Sequence, residues 1–158
     1  MCCSKYGFCG TTADFCEGNP VKRPSCNVNN VPIERVIGYY ESWSTSTRPC
    51  YNMLPEKIPY GYYTDIIFSF ATINPQTFEI EAGDGKTAEY MERIRAIKLI
   101  QPDIRIWIAV GGWAFNDPGP TRTTFSDVAM SLANMNKFID SLIKMMNRYG
   151  FDGVDIDW

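Results

Sequence analysis

A chain of 158 residues that is 45% hydrophobic and 14% aromatic has the material for one packed domain and a small appendage, not for a disordered tract. Its formal charge of −3 and isoelectric point near 5.0 exclude the basic face of a nucleic-acid binder, and no apolar run approaches the ~20 residues that span a bilayer. There is no histidine, which excludes histidine-activated serine or cysteine nucleophiles and most catalytic zinc sites and leaves carboxylates, tyrosines, backbone groups or the substrate itself to carry any chemistry.

Four of the six cysteines (Cys2, Cys3, Cys9 and Cys16) fall within the first sixteen residues, and Cys26 and Cys50 follow. Density of this kind in a segment with little apolar content reads as a disulfide-stapled secreted module. A zinc site would want paired ligands at C-x₂₋₄-C spacing, which CC-x₅-C-x₆-C does not provide. Met1 runs straight into Cys2-Cys3, so no signal peptide is expected within the chain as written. Residues 17–32, EGNPVKRPSCNVNNVP, carry Pro, Asn and Gly without periodicity and read as a linker. The expected boundaries are therefore a module at 1–16, a linker at 17–32 and a globular α/β domain at 33–158.

In that domain four strands are expected: Arg35–Tyr40, Asp65–Ile73, Arg105–Val110 and Gly153–Asp157. Their centres, such as IIFSFA and IRIWIAV, are almost continuously apolar, as in strands buried on both faces of a parallel sheet. A turn or two of helix fits Leu54–Ile58, between Pro55 and Pro59. A helix over Lys86–Gln101 places Tyr90, Ile94 and Ile97 on one stripe and stops at Pro102. Thr124 and Asp127 form a capping-box-like pair for a short helix. A longer helix follows, with Met135, Phe138, Ile139, Leu142, Ile143 and Met146 as its stripe, Asn134 as N-cap and Gly150 as C′ residue. The pattern β-α-β-α-β-α-β suits half of an eight-fold barrel, which needs ~250 residues in full. A doubly wound sheet is the rival, but Tyr40-Glu41-Ser42-Trp43 follows the first strand where a Gly-rich phosphate loop would stand.

The chain closes on Phe151-Asp152-Gly153-Val154-Asp155-Ile156-Asp157-Trp158. Strand alternation puts Asp155 and Asp157 on one face and Val154 and Ile156 on the other. In a barrel the carboxylates face the interior, at the C-terminal strand end where barrel active sites are built. A calcium loop would require D-x-D-x-D-G and a later bidentate Glu, and Gly153 sits in the wrong place for it. No metal site is expected.

The string D-G-V-D-I-D-W is similar to the D-x-x-D-x-D-x-E signature of glycoside hydrolase family eighteen, the chitinases. Ala109-Val110-Gly111-Gly112-Trp113 resembles that family's S-x-G-G motif on strand three, with alanine where serine is usual. Tyr39-Tyr40 and Phe68-Ser69-Phe70-Ala71 resemble its first two strands. The resemblance covers Arg35 to Trp158 and is nearest to secreted, multi-module fungal chitinases. It implies a fold class of α/β, with the first half (strands 1–4) of a (β/α)8 TIM barrel preceded by a small disulfide-rich module. Separately, Cys2-Cys3-Ser4-Lys5-Tyr6-Gly7-Phe8-Cys9-Gly10 and Phe15-Cys16 resemble the second half of a hevein-type (type 1) chitin-binding module.

These resemblances imply roles. The catalytic set would be Asp157, Asp155 and Asp152, with the general acid a glutamate expected at position 159, beyond the 158 residues. Asp157 would orient the substrate's N-acetyl group and Asp155 would sit behind it, while Asp152 would be structural at the strand's start. Tyr39, Trp43, Phe70, Gly111, Gly112 and Trp113 would bind substrate; core packing is the competing role for either tryptophan. In the module, Ser4 would hydrogen-bond an N-acetyl group, Tyr6, Phe8 and Phe15 would stack on sugar rings, and Cys2 would pair with Cys16. The partners of Cys3 and Cys9 are expected upstream, and Cys26 and Cys50 are left to pair with each other or elsewhere. The implied activity is endo-type hydrolysis of β-1,4-linked N-acetylglucosamine polymers by a substrate-assisted, retaining mechanism without cofactors. A non-catalytic chitin-binding lectin or effector on the same fold is the alternative. The implied partner is chitin or chito-oligosaccharides, with no nucleic acid and no membrane, in an extracellular monomer. The chain is expected to be a fragment truncated at both ends.

Overall fold

The structure is a computed structural model that describes residues 34–48, 50 and 52–158, together with the backbone of Cys2–Cys3 and Cys9–Gly10. The chain divides into two compact units, Met1–Glu34 and Arg35–Trp158. In the first, β1 (Cys2–Cys3) and β2 (Cys9–Gly10) pair antiparallel, with Cys2 opposite Gly10 and Cys3 opposite Cys9. Ser4, Tyr6, Phe8, Phe15, Cys16 and Cys26 lie outside the described residues. Cys50 is exposed, and its expected pairing with Cys26 lies outside the described residues.

The second unit is built on four parallel strands: β3 (Ile37–Glu41), β4 (Asp65–Ile73), β6 (Arg105–Gly111) and β7 (Gly153–Asp157). They lie side by side in chain order, β3-β4-β6-β7. A doubly wound sheet reverses direction at a switch point; a barrel adds each new strand on the same side. The observed order is that of a barrel. β5 (Ile80–Glu81) hooks back antiparallel onto the end of β4, a hairpin absent from the expected pattern.

Alternation along each strand separates two layers. Ile66, Phe68, Ile106, Ile108 and Val110 face the helices and form the core with Met91, Ile94, Leu142 and Met145. Two helices cover that face. One is α2 (Gly85–Ile94), capped by Asp84, whose side chain accepts from the Thr87 amide; the other is α5 (Leu132–Tyr149), closed by Gly150 in the left-handed conformation. Short helices α1 (Ser44–Thr47), α3 (Trp113–Asn116) and α4 (Thr124–Ala129) fill the connections, and Pro55–Lys57 makes one 3₁₀ turn. Among the described residues no helix is long and apolar enough to cross a membrane.

Several expectations are corrected. α2 does not run on to Gln101. Its last turn tightens to a 3₁₀ segment at Arg95–Leu99, and Gln101 instead clamps the preceding loop, accepting from Gly61 N at 2.9 Å and donating to Tyr63 O at 2.8 Å. The N-cap of α5 is Ser131, whose hydroxyl accepts from the Asn134 amide; Asn134 is the residue being capped, and its side chain donates to Asp127 O at 3.0 Å. α4 begins after Thr123, not Thr124, and Thr123 Oγ1 donates to Asp127 Oδ2. The buried stripe of α5 runs through Leu142, Met145 and Tyr149, whereas Ile139 and Ile143 are exposed on its flank. β7 is the edge of the described sheet, so the helix flank that reaches past it has no strand to cover it.

At the opposite end of the strands, the fully buried carboxylate of Asp65 ties three segments together. It accepts from Arg35, Arg105, Thr64 Oγ1 and, at 2.9 Å, Trp107 Nε1. Burial alone would push this carboxyl up, but the surrounding donors outweigh it and hold Asp65 well below the usual carboxylate range. The polar cluster plugs the N-terminal end of the sheet, which in barrels is the stabilising face and not the reactive one.

Candidate functional site

The site lies at the C-terminal ends of β3, β6 and β7. β6 and β7 pair in register to their tips, with Ala109 opposite Asp155 and Gly111 opposite Asp157. Asp155 and Asp157 therefore share one face, while Val154 on the other packs against the helix-covered core. Tyr39, on β3, donates from its hydroxyl to Asp155 Oδ2 at 2.8 Å. β3 and β7 are separated by two intervening strands, and side chains standing on a flat sheet would not meet across that span. They meet because the sheet curls, with both carboxylates on its concave side. The hydrogen bond to Asp155 holds the Tyr39 proton in place; together with burial and the charges of Asp155 and Asp157, it pushes the phenol up to about 12.

Two glycines make room at the strand tip. Gly111 and Gly112 both have positive φ, +103° and +89°. A Cβ on Gly111 would stand 2.6 Å from the Asp157 carbonyl oxygen and 2.7 Å from the Phe125 ring; one on Gly112 would stand 2.8 Å from the Phe70 ring. The Asp157 carbonyl itself accepts twice, from Gly112 N at 3.0 Å and from Asn116 Nδ2 at 3.1 Å. Trp158 continues the chain and stacks on Phe125 with centroids 5.6 Å apart.

The expected aromatic pair divides. Trp43 lies against Phe70, centroids 5.6 Å apart and planes within 8°, so one face of its indole is covered by protein and Phe70 serves as its support. Trp113 is 85% exposed and makes no ring stack among the described residues. An open cleft of about 380 Å³ is lined by Trp113, Asn116, Asp117, Asp157 and Trp158. Asp152 is not brought into this site. It sits before β7, bridged to Lys98 at 2.7 Å and accepting from Ile106 N at 2.7 Å, so it anchors the base of the strand. Among the described residues no group of three or more His, Cys, Asp or Glu is placed to hold a metal ion. Asn116 and Asp117 were not anticipated; the available signal was a side-chain amide and a carboxylate three and four residues after Trp113, one helical turn on.

Residues 35–158 match the family model described as glycosyl hydrolases family 18, and residues 1–27 match that described as chitin recognition protein. The chain is 33% identical to chitinase B of Serratia marcescens over 133 residues, 81% of this chain and 26% of that protein. It is 31% identical to the secreted chitinase LysM12 of Penicillium expansum over 174 residues, 99% of this chain and 11% of that one. Among solved structures, a family 18 chitinase from Cycas revoluta in complex with (GlcNAc)4 superposes with a TM-score of 0.67 at 26% identity, covering 78% of this chain and 33% of that one. The chain thus spans about a third or less of the length of these relatives.

Proposed function

The chain belongs to glycosyl hydrolases family 18, and from that premise we propose that it supplies the carboxylate face of a secreted, chitin-binding chitinase that cleaves β-1,4-linked N-acetylglucosamine polymers internally. The observation that carries the reading is the Tyr39–Asp155 hydrogen bond on the face shared with Asp157, beside Gly111, Gly112 and the free indole face of Trp113. Relatives named as chitinases, one of them as secreted, and the match of residues 1–27 to a chitin recognition model support the substrate class and the extracellular setting.

The chemistry is substrate-assisted. The N-acetyl carbonyl oxygen attacks its own anomeric carbon as the bond to the leaving sugar breaks, and the proton for that leaving oxygen comes from an acid at position 159. Asp157 accepts from the acetamido N–H and balances the positive charge that develops on the oxazolinium ring. Asp155 stands behind it, its orientation held by the Tyr39 hydroxyl. Water then adds to the anomeric carbon, giving its proton back to the acid and regenerating the acetamido group with retention. The indole of Trp113 offers an apolar face on which a pyranose ring would stack.

The test compares the 158-residue chain with the protein read on through position 159 and the remaining strands, each given a fluorogenic chitin oligomer. Turnover is expected only from the longer protein and only with an acid at 159, since loss of a general acid costs ~10²–10⁴-fold. Oligomer binding without turnover by a longer protein lacking that acid would establish the lectin alternative. Turnover by the 158-residue chain above a mock-purified control would show that the proton donor has been misplaced.

A further inference from the structure

The last rung of the β6–β7 ladder joins Gly111 to Asp157, and beyond it the two strands have no further pairing. Strand ends of this kind fray unless something holds them. Here a side chain adds to the backbone bond that closes the ladder. Asn116 Nδ2 donates to Gly112 O at 2.9 Å and to Asp157 O at 3.1 Å, bridging the β6 turn and the end of β7. The Gly112 contact is four residues back and would by itself be a local helix-end bond; the Asp157 contact is 41 residues distant and has no such explanation. With Gly112 N also bound to the Asp157 carbonyl at 3.0 Å, the peptide that carries the cleft carboxylate into Trp158 is fastened at one oxygen by two donors.

From this clasp we infer that Asn116 is a positioning residue of the sugar site, fixing the direction of the Asp157 carboxylate and of Trp158. Its action is indirect: the amide holds the Asp157 peptide, and Asp157 meets the acetamido group. The inference rests on the chitin reading for its functional consequence, but the clasp is a property of the protein alone. It requires a donor at position 116. Asn116→Asp keeps the shape yet, when ionised, turns an acceptor toward two carbonyl oxygens; when protonated, it regains one donor. Asp157 and Asp117 place two further carboxyl groups in the same cleft, so the wild-type protein at the same pH is the reference throughout.

The experiment measures hydrogen-exchange protection of the Gly112 amide by NMR in the 158-residue chain, in Asn116→Ala and in Asn116→Asp, with the central β6 amides as a control for global unfolding. Relative to wild type at pH 7, protection at Gly112 should fall by about 3- to 10-fold in the alanine variant, the equivalent of one net hydrogen bond, and at least as far in the aspartate variant. Near pH 4, where a carboxyl protonates, the aspartate variant should recover toward wild type and the alanine variant should not. Affinity for chitotetraose, measured by calorimetry in the protein read on through the remaining strands, should weaken in step. Unchanged Gly112 protection in both variants, or an aspartate variant equally impaired at both pH values, would overturn the clasp. Lost protection with undiminished tetramer affinity would overturn the positioning role. A wild-type protein that binds no chitotetraose would refute the chitin reading, while the exchange data would still decide the clasp.

Discussion

Asp65→Ala is expected to be the most damaging carboxylate substitution in the protein, although the residue lies away from the candidate site. Removing one partner from a buried ion pair typically costs ~3–5 kcal/mol, because the remaining charge is left without compensation. The Asp65 side chain is 0% exposed, but Arg35 and Arg105 are 49% and 48% exposed, so water takes up part of their charge once the carboxylate is gone. The Trp107 N–H, half-buried and also left without its acceptor, adds part of the cost of an unsatisfied donor. The expected net loss is about 2–3 kcal/mol, or roughly 8–12 °C in thermal midpoint for a domain of this size. Asp65→Asn keeps an acceptor and should lose about half as much. Because Asp65 is held below its ordinary value of 3.8, its contribution is fully present above that pH and declines as pH falls toward the lowered folded value. The gap between wild type and Asp65→Asn should therefore be constant from pH 7 to about 5 and close below pH ~4 at about 1.4 kcal/mol per unit. Urea unfolding followed by tryptophan fluorescence across that range measures it. A midpoint shift under 2 °C for Asp65→Ala, or a gap that does not narrow in acid, would refute the argument that the donors around this carboxylate hold it ionised.

Gly111→Ala should destabilise by about 2–4 kcal/mol in chemical denaturation, since a Cβ there has both a positive φ and the Asp157 carbonyl against it. The Tyr39 phenol, raised to about 12, should return toward its ordinary value of 10.0 in Asp155→Asn, read from its ring-carbon shifts by NMR. As a raised acid, its contribution to stability is present below pH 10 and is lost as pH climbs through the folded value. Trp113→Ala should weaken chitotetraose binding by about 3- to 10-fold with little change in thermal midpoint, whereas Trp43→Ala, which breaks the stack on Phe70, should cost about 0.5–1.5 kcal/mol of stability.

Much of the site was legible because it is written in local periodicity. The period of two along Gly153–Asp157 is enough to place Asp155 and Asp157 on one face, and that pairing does not depend on what the strand packs against. The Gly111-Gly112 pair likewise announces a close backbone approach, although only the fold identifies the Asp157 carbonyl, Phe125 and Phe70 as what approaches. Strand positions were readable from continuous apolar runs, and α5 from its 3.6-residue stripe; its start was misjudged by three residues because Ser131 and Asn134 are equally good caps by type.

What the sequence determined by itself is therefore what neighbouring residues decide among themselves: the strands and their faces, the helix stripes, and a carboxylate pair at a strand tip. Tertiary structure alone decided the rest. The barrel was already favoured over a doubly wound sheet by the missing Gly-rich loop after the first strand and by the family resemblance, but the side-by-side order β3-β4-β6-β7 itself is a relation among distant segments that no local pattern encodes. The surroundings of Trp43 and Trp113 separated only in the fold, which stacks Phe70 on the first and, among the described residues, no ring on the second. Asp65 and Asn116 show the reason most plainly. Each is an ordinary polar residue until folding brings to it partners 30–42 residues away, and those few hydrogen bonds then become constraints.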